Sequence, residues 1–278
     1  MLKPRSSHVI AISQTTAKDV QELRKRTGAG ILDCRRALEE SDGDQVEAER
    51  LLRERGVISA GKRQHRDRTE GAVAVAVHGD GKAVGAIAML ECETDFVAKS
   101  PEFVSLVEEL ANELAAKGEE GLAQYSDRIE NLALISKENI ALGRTVRFEA
   151  PGSAIIGSYL HVQNGRGVNA VLVEISGVDE VLAHDVALHI AFARPEYVRR
   201  EDVPAEQIAD FRRTAEAIAH NEGKPQAALA KIVEGRLQGW YRERVLLEQP
   251  FVRDERQTIG QLLVGEELLR FAQVVVGS

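Results

Sequence analysis

Apolar positions follow two rhythms along this chain, and the change of rhythm predicts its organisation. Over the first 56 residues they recur every three or four positions between glycine-bearing turns, which is the mark of short helices. Thr16 caps a predicted helix running through Val20 and Leu23 to about Arg26, with Asp19 in the reciprocal capping position. Thr27-Gly28-Ala29-Gly30 breaks it. A second helix carries Ile31, Leu32, Cys34, Ala37 and Leu38, and Ser41-Asp42-Gly43 turns the chain. Asp44 and Glu47 read as another capping box ahead of Val46, Leu51 and Leu52, and Gly56 suits a left-handed helix end.

Three short helices joined by glycine turns predict a docking domain over residues 14–60 that resembles the ubiquitin-associated type. A disordered lead-in at 1–13 precedes it, and a polar, mostly basic linker at 61–70 follows. Beyond the linker the rhythm becomes that of strands. Val73 to Val77, the turn His78-Gly79-Asp80-Gly81 and Ala83 to Cys92 predict a hairpin followed by a helix. Ala154 to His161, the turn Asn164-Gly165-Arg166-Gly167 and Val168 to Ile175 predict a second hairpin. Its following helix carries Val181, Leu182, Val186, Leu188 and Ile190. The fold class expected is α+β: the three-helix domain, then two similar subdomains of antiparallel sheet plus helix, at 71–150 and 151–278. Helical spacing returns after Pro204, at Ile208, Phe211, Ala215 and Ile218. Asn221 to Pro225 interrupts it before Leu229, Ile232, Val233, Leu237, Trp240 and Tyr241. This predicts an antiparallel helical hairpin at about 205–243, inserted in the second subdomain.

The segment Glu93-Thr94-Asp95-Phe96-Val97-Ala98-Lys99 stands apart. It follows an almost continuous apolar run, Ala83 to Leu90, and precedes Ser100-Pro101, a capping hydroxyl beside a proline suited to the first helical position. The next helix carries Phe103, Leu106, Val107, Leu110 and Leu114. Between strand and helix lies a short platform with one carboxylate and one ring side by side. Phe96 is there either as a plug for its own core or as a wedge for a partner.

Composition narrows the function. The chain has 278 residues, a formal charge of −8 and only 4% aromatic residues. The acidic balance argues against direct nucleic-acid binding, which needs a concentrated basic surface. No apolar run reaches the roughly 18 residues of a membrane span. Cys34 and Cys92 are the only cysteines and stand far apart, so neither a disulfide framework nor a zinc finger is expected, and a reducing cytosol is the expected compartment. The chain lacks a phosphate-cradling Gly-x-x-x-x-Gly-Lys-Ser/Thr loop, a His-Glu-x-x-His motif and a Gly-x-Ser-x-Gly turn. No cofactor, metal site or catalytic residue is expected. His184 and His189, five apart on a helix, point to different faces. Gly28 and Gly30 read as turn glycines, because a dinucleotide fingerprint would need a preceding strand and a third glycine.

From about residue 16 to residue 265 the chain resembles the translation elongation factor Ts family, while residues 1–13 have no counterpart in it. Thr27-Gly28-Ala29-Gly30, Asp33-Cys34 and Ala37-Leu38 resemble its N-terminal module, with Ile31 and Leu32 where the family often has methionines. Thr94 to Lys99 resembles its core signature, and Gly157-Ser158-Tyr159-Leu160-His161 its second-subdomain strand. Arg194-Pro195-Glu196-Tyr197, Val233-Glu234-Gly235-Arg236, Gln249-Pro250-Phe251-Val252 and Thr258-Ile259-Gly260-Gln261-Leu262-Leu263 follow in family order. The second hairpin departs from the family at Val168-Asn169-Ala170-Val171-Leu172, and the C-terminal helical module of longer members has no counterpart. The resemblance implies a cytoplasmic guanine-nucleotide exchange factor for elongation factor Tu, without covalent catalysis. Thr94, Asp95, Phe96 and Val97 would contact the partner, Phe96 as wedge and Asp95 disturbing the Mg²⁺ surroundings. His161, Ile31, Leu32, Gly28 and Gly30 would support the contact. A homodimer and a heterotetramer with elongation factor Tu are both open. Two rival classes are an adaptor using only residues 1–56 and a thiol enzyme using Cys34 or Cys92.

Overall fold

A computed structural model describes residues 15–27, 29, 31–63, 66–79 and 83–278. The lead-in at 1–13, the glycines Gly28 and Gly30, and Asp80 and Gly81 of the first hairpin turn lie outside the described residues. The chain divides into two units, Met1–Arg68 with Ser126–Ala141, and Thr69–Tyr125 with Leu142–Ser278.

The first unit holds α1 (Ala17–Thr27), α2 (Ile31–Glu40) and α3 (Gln45–Arg63). Its core is Leu23, Cys34, Ala37, Leu38 and Ala48, with Val20, Leu51 and Leu52 packed against it. The Thr16 amide donates to Asp19 at 2.9 Å and the Asp19 amide donates back to the Thr16 hydroxyl at 3.3 Å, the reciprocal cap expected from sequence. The second box is only half made. Asp44 accepts from the amides of Val46 and Glu47, at 2.8 and 3.1 Å, but the Glu47 carboxylate turns outward to Arg50 at 2.6 Å. Gly56 does not end α3, which runs on to Arg63. A glycine inside a helix costs about 1 kcal/mol, too little to stop one supported on both sides.

The second unit is built on two three-stranded sheets. The first contains β1 (Glu70–His78), β2 (Val84–Cys92) and β3 (Ala141–Glu149) in that order, and the second β4 (Ala154–Gln163), β5 (Arg166–Ser176) and β8 (Glu267–Val275). Both hairpins are antiparallel. The sheets pack face to face, with Val73, Ile87, Met89 and Phe148 of the first against Ile156, Ala170, Leu172, Ala272 and Val274 of the second. The outer face of the first sheet carries α5 (Pro101–Lys117), and that of the second carries α7 (Glu180–Ala193). Four layers result. With both faces of β1 and β2 covered, alternation has little value, which explains the unbroken apolar run at Ala83–Leu90. The sheets approach closely at Gly167, where a Cβ would stand 2.1 Å from the Val73 carbonyl oxygen. No side chain fits there.

A short α4 (Asp95–Ala98) leads into α5, and α6 (Ser126–Ser136) belongs to the first unit. After α7 come α8 (Ala205–Asn221) and α9 (Gln226–Arg244). Phe211 of α8 lies 5.5 Å from Trp240 of α9, and Arg236 of α9 pairs with Glu222 just past α8 at 2.9 Å. A two-stranded ribbon, β6 (Pro250–Phe251) and β7 (Asp254–Thr258), precedes α10 (Ile259–Leu262). The ribbon is tied to α7 through His189, which is 1% exposed. The Val252 amide donates to His189 Nδ1 at 3.3 Å, so Nε2 carries the proton and donates to Gln249 Oε1 at 3.0 Å. Burial pushes the His189 pKa down, and the Gln249 bond only partly opposes it. The ring is a neutral structural cross-link.

Candidate functional site

The connection between β2 and α5 is a single helical turn. Thr94, in extended backbone, accepts at its hydroxyl from the Val97 amide at 3.4 Å and so caps α4. Lys99 closes the turn with amide bonds back to Asp95 and Val97. Ser100 then caps α5 by accepting from Phe103 at 3.3 Å, with Pro101 at the first helical position. Ala98 and Phe103 are fully buried beneath this double cap. The polar caps therefore fix the turn while the core holds its two ends.

Phe96 is left outside, with 82% of its surface exposed. That removes the core-plug alternative. A phenylalanine in water forgoes about 1.5–3 kcal/mol of burial free energy, which only a partner can recover. Asp95 and Val97 beside it are half-buried. The Asp95 carboxylate accepts from the Lys99 ammonium, four residues on. That bond holds its pKa below the usual range, and the charges of Lys99 and then Arg166 act in the same direction. Asp95 stays ionised.

Arg166 was not singled out in the sequence. It opens β5 directly after a two-residue turn, Asn164-Gly165, whose φ values of 53° and 81° are both left-handed. The expected four-residue turn is shorter than its sequence suggested, and Arg166 and Gly167 are strand residues. Arg166 is 9% exposed, and its guanidinium crosses to the other sheet, donating to the Gly71 carbonyl at 2.7 Å and pairing with Glu70 at 2.6 Å. Glu70 lies opposite Cys92 in the β1–β2 register, two residues before Thr94. The tip of the second hairpin is thus bolted beneath the platform. The motif rule for two-residue turns could have exposed the strand position of Arg166, but no local pattern could have named its partner 96 residues away.

His161 lies near the same tip, opposite Asn169 and beside a bulge at Val162. It is exposed, stacks on Tyr159 at 6.5 Å between ring centroids and shares a 3.5 Å contact with the Tyr159 hydroxyl. His184 bonds the Ser158 carbonyl at 2.9 Å, whereas His189 is buried on the opposite side of α7, so the two histidines do face different ways. In the first unit, Ile31 and Leu32 open α2 and are 55% and 70% exposed. Cys34 and Cys92 are both fully buried, Cys34 against the Ala29 carbonyl and Cys92 against that of Thr94. Buried thiols of this kind behave as small apolar residues. Among the described residues, no group of three or more His, Cys, Asp or Glu is arranged to hold a metal ion, and no helix is long and apolar enough to cross a membrane.

Residues 93–278 match the family model described as Elongation factor TS. The chain is 41% identical over 262 residues to Elongation factor Ts of Kineococcus radiotolerans, covering 90% of this chain and 93% of that one. It is 41% identical over 278 residues to Elongation factor Ts of Thermobifida fusca, covering 95% and 98%. Against Elongation factor Ts of Micrococcus luteus it is 39% identical over 282 residues, covering 95% and 99%.

Proposed function

The chain belongs to the elongation factor Ts family, and we propose that it binds elongation factor Tu and promotes exchange of its GDP for GTP. The reading rests on one observation, an 82% exposed Phe96 on a turn whose backbone is capped at both ends. A turn whose backbone is already fixed has met that part of the ordering cost before a partner arrives, so more of the free energy of inserting the ring is left for displacing something else.

Exchange follows from linkage. A protein that binds the empty form of a nucleotide carrier more tightly than the GDP form weakens GDP by the same factor. Each tenfold in that factor needs about 1.4 kcal/mol of differential contact. In this reading Phe96 wedges into the nucleotide-binding domain near its Mg²⁺ and phosphate side, with Thr94 and Val97 fitting around it. The ionised Asp95 disturbs the surroundings of the metal. His161 supports the contact from the second hairpin, and Ile31 and Leu32, with Gly28 and Gly30, dock the N-terminal helices on the same partner. No covalent step and no cofactor of the chain's own is involved. The charge of −8 favours a protein partner over nucleic acid.

We infer the finer organisation in the same way. The N-terminal helices act as a ubiquitin-associated-like docking domain over about 14–60. The two sheets are a duplicated subdomain, since each has a hairpin, a helix and then a third strand beside the hairpin's second strand. The α8–α9 pair is an inserted hairpin serving association, as a homodimer or in a heterotetramer with elongation factor Tu. Release of labelled GDP from elongation factor Tu tests the central reading. Wild-type protein should accelerate it, and Phe96→Ala should lose most of the acceleration while melting at the same temperature. A Phe96→Ala variant that is folded and fully active would sink the wedge.

A further inference from the structure

Of the seven phenylalanines, only Phe96 and Phe192 are more than 70% exposed, and Phe192 has no part in the site described above. It occupies the last turn of α7 and is 75% exposed. Its backbone is held from both sides. The carbonyl of Ala191 accepts from the Asn169 side chain at 2.9 Å and from that of Gln273 at 3.4 Å. Two residues on, Arg194 adopts φ 48°, a left-handed conformation costly for a residue with a Cβ, and its amide closes the helix on Ile190 at 2.9 Å. Like Phe96, this ring is exposed on a backbone fixed by hydrogen bonds on both sides.

Its position within the second unit matters as much as its exposure. Asn169, which bonds Ala191, is the cross-strand partner of His161. Three residues earlier on the same strand, Arg166 bonds Gly71 and Glu70 at the base of the platform. The end of α7 therefore bonds the same strand end that, through Arg166, reaches Gly71 and Glu70 below the platform, so α7 ends at the end of the sandwich that carries the β4–β5 hairpin tip and α4.

We propose that Phe192 is a second apolar anchor for the same partner, elongation factor Tu, seated in an apolar pocket outside the nucleotide site and contributing affinity without driving release. This rests on the exchange-factor reading, and it commits to that partner because the ring shares one end of the unit with the platform and His161. Phe96 is the ring spent on displacing nucleotide. Phe192 is the ring that holds the complex.

The test compares wild-type, Phe192→Ser and Phe192→Leu full-length chains. Binding to nucleotide-free elongation factor Tu is measured by titration calorimetry, and GDP release is followed against exchange-factor concentration. Phe192→Ser should raise both the Kd and the half-maximal concentration about tenfold, as loss of an aromatic anchor does. The rate at saturation and the melting temperature should not move, and Phe192→Leu should recover most of the affinity. Unchanged affinity in Phe192→Ser, beside a wild-type chain that binds and exchanges, overturns the second anchor alone. So does a loss confined to the saturating rate, or a change seen only in the chain's own molar mass by light scattering. A wild-type chain that does not bind elongation factor Tu overturns the exchange-factor reading and this inference together.

Discussion

Phe96 and Phe251 sit on two of the shortest elements in the chain, α4 and β6, and each has a titratable neighbour, yet their surroundings are opposite. Phe96 is 82% exposed beside Asp95, whereas Phe251 is 5% exposed and lies 6.2 Å from the His189 ring. Both neighbours have lowered pKa values. The same direction has opposite meanings. For the aspartate, a bond from Lys99 favours the charged form, so the group stays ionised and solvated next to an exposed ring. For the histidine, burial favours the neutral form, so the ring can be enclosed with both nitrogens satisfied. One junction presents chemistry outward; the other removes charge so that a core can close over it.

Truncating the two rings should separate these roles. Phe251→Ala removes a buried ring from the cluster containing Ile190, Leu246 and Ile259 and should cost about 3–5 kcal/mol of stability. Denaturant unfolding measures it, and a loss below 1 kcal/mol would mean that the ribbon is not part of the core. Phe96→Ala should leave the unfolding midpoint in place and reduce stimulated GDP release by about a hundredfold, equivalent to about 2.7 kcal/mol. Destabilisation matching that of Phe251→Ala would erase the contrast.

A smaller effect distinguishes the two neighbours by pH. The folded pKa of His189 lies below its ordinary 6.5, so the unfolded chain binds more protons between those two values. Its stability contribution is complete above 6.5 and is lost as pH falls toward the folded value. His189→Gln should flatten the fall in melting temperature between neutral pH and pH 5, and an unaltered slope would mean that another group titrates there. Smallest of all is a control on exposed surface that faces nothing. Gly239 lies inside α9, and a Cβ there would meet no atom within 4 Å. Gly239→Ala should stabilise by about 1 kcal/mol through helix propensity alone and leave GDP release unchanged. Destabilisation would mean that its face of α9 is occupied.

Much of the candidate site was legible because its determinants are local. Ser100 beside Pro101 is a cap read from adjacent residues, and the apolar run before the platform marks a largely buried strand; the matching cap at Thr94 was not singled out, although it has the same spacing of three. Exposure of Phe96 was not legible, since a ring on a turn faces inward or outward according to what the rest of the chain has already filled. Glu47 and Gly56 show the converse. Their local signals were sound, but Arg50 drew one carboxylate away and the helix ran through the glycine.

By itself the sequence determined the α+β class, the order of the N-terminal helices, the two long hairpins with their helices and the α8–α9 pair, and the turn that carries Asp95 and Phe96. Each of these depends on interactions within a few residues. It did not determine α6, the β6–β7 ribbon or α10. Only the tertiary structure decided that the two sheets lie face to face, that β3 and β8 complete them, and that Arg166 reaches Glu70 to bring the second hairpin beneath the platform. Those contacts join residues from tens to more than a hundred positions apart. They depend on shape and on the absence of a side chain at Gly167, and no periodicity along the chain records either.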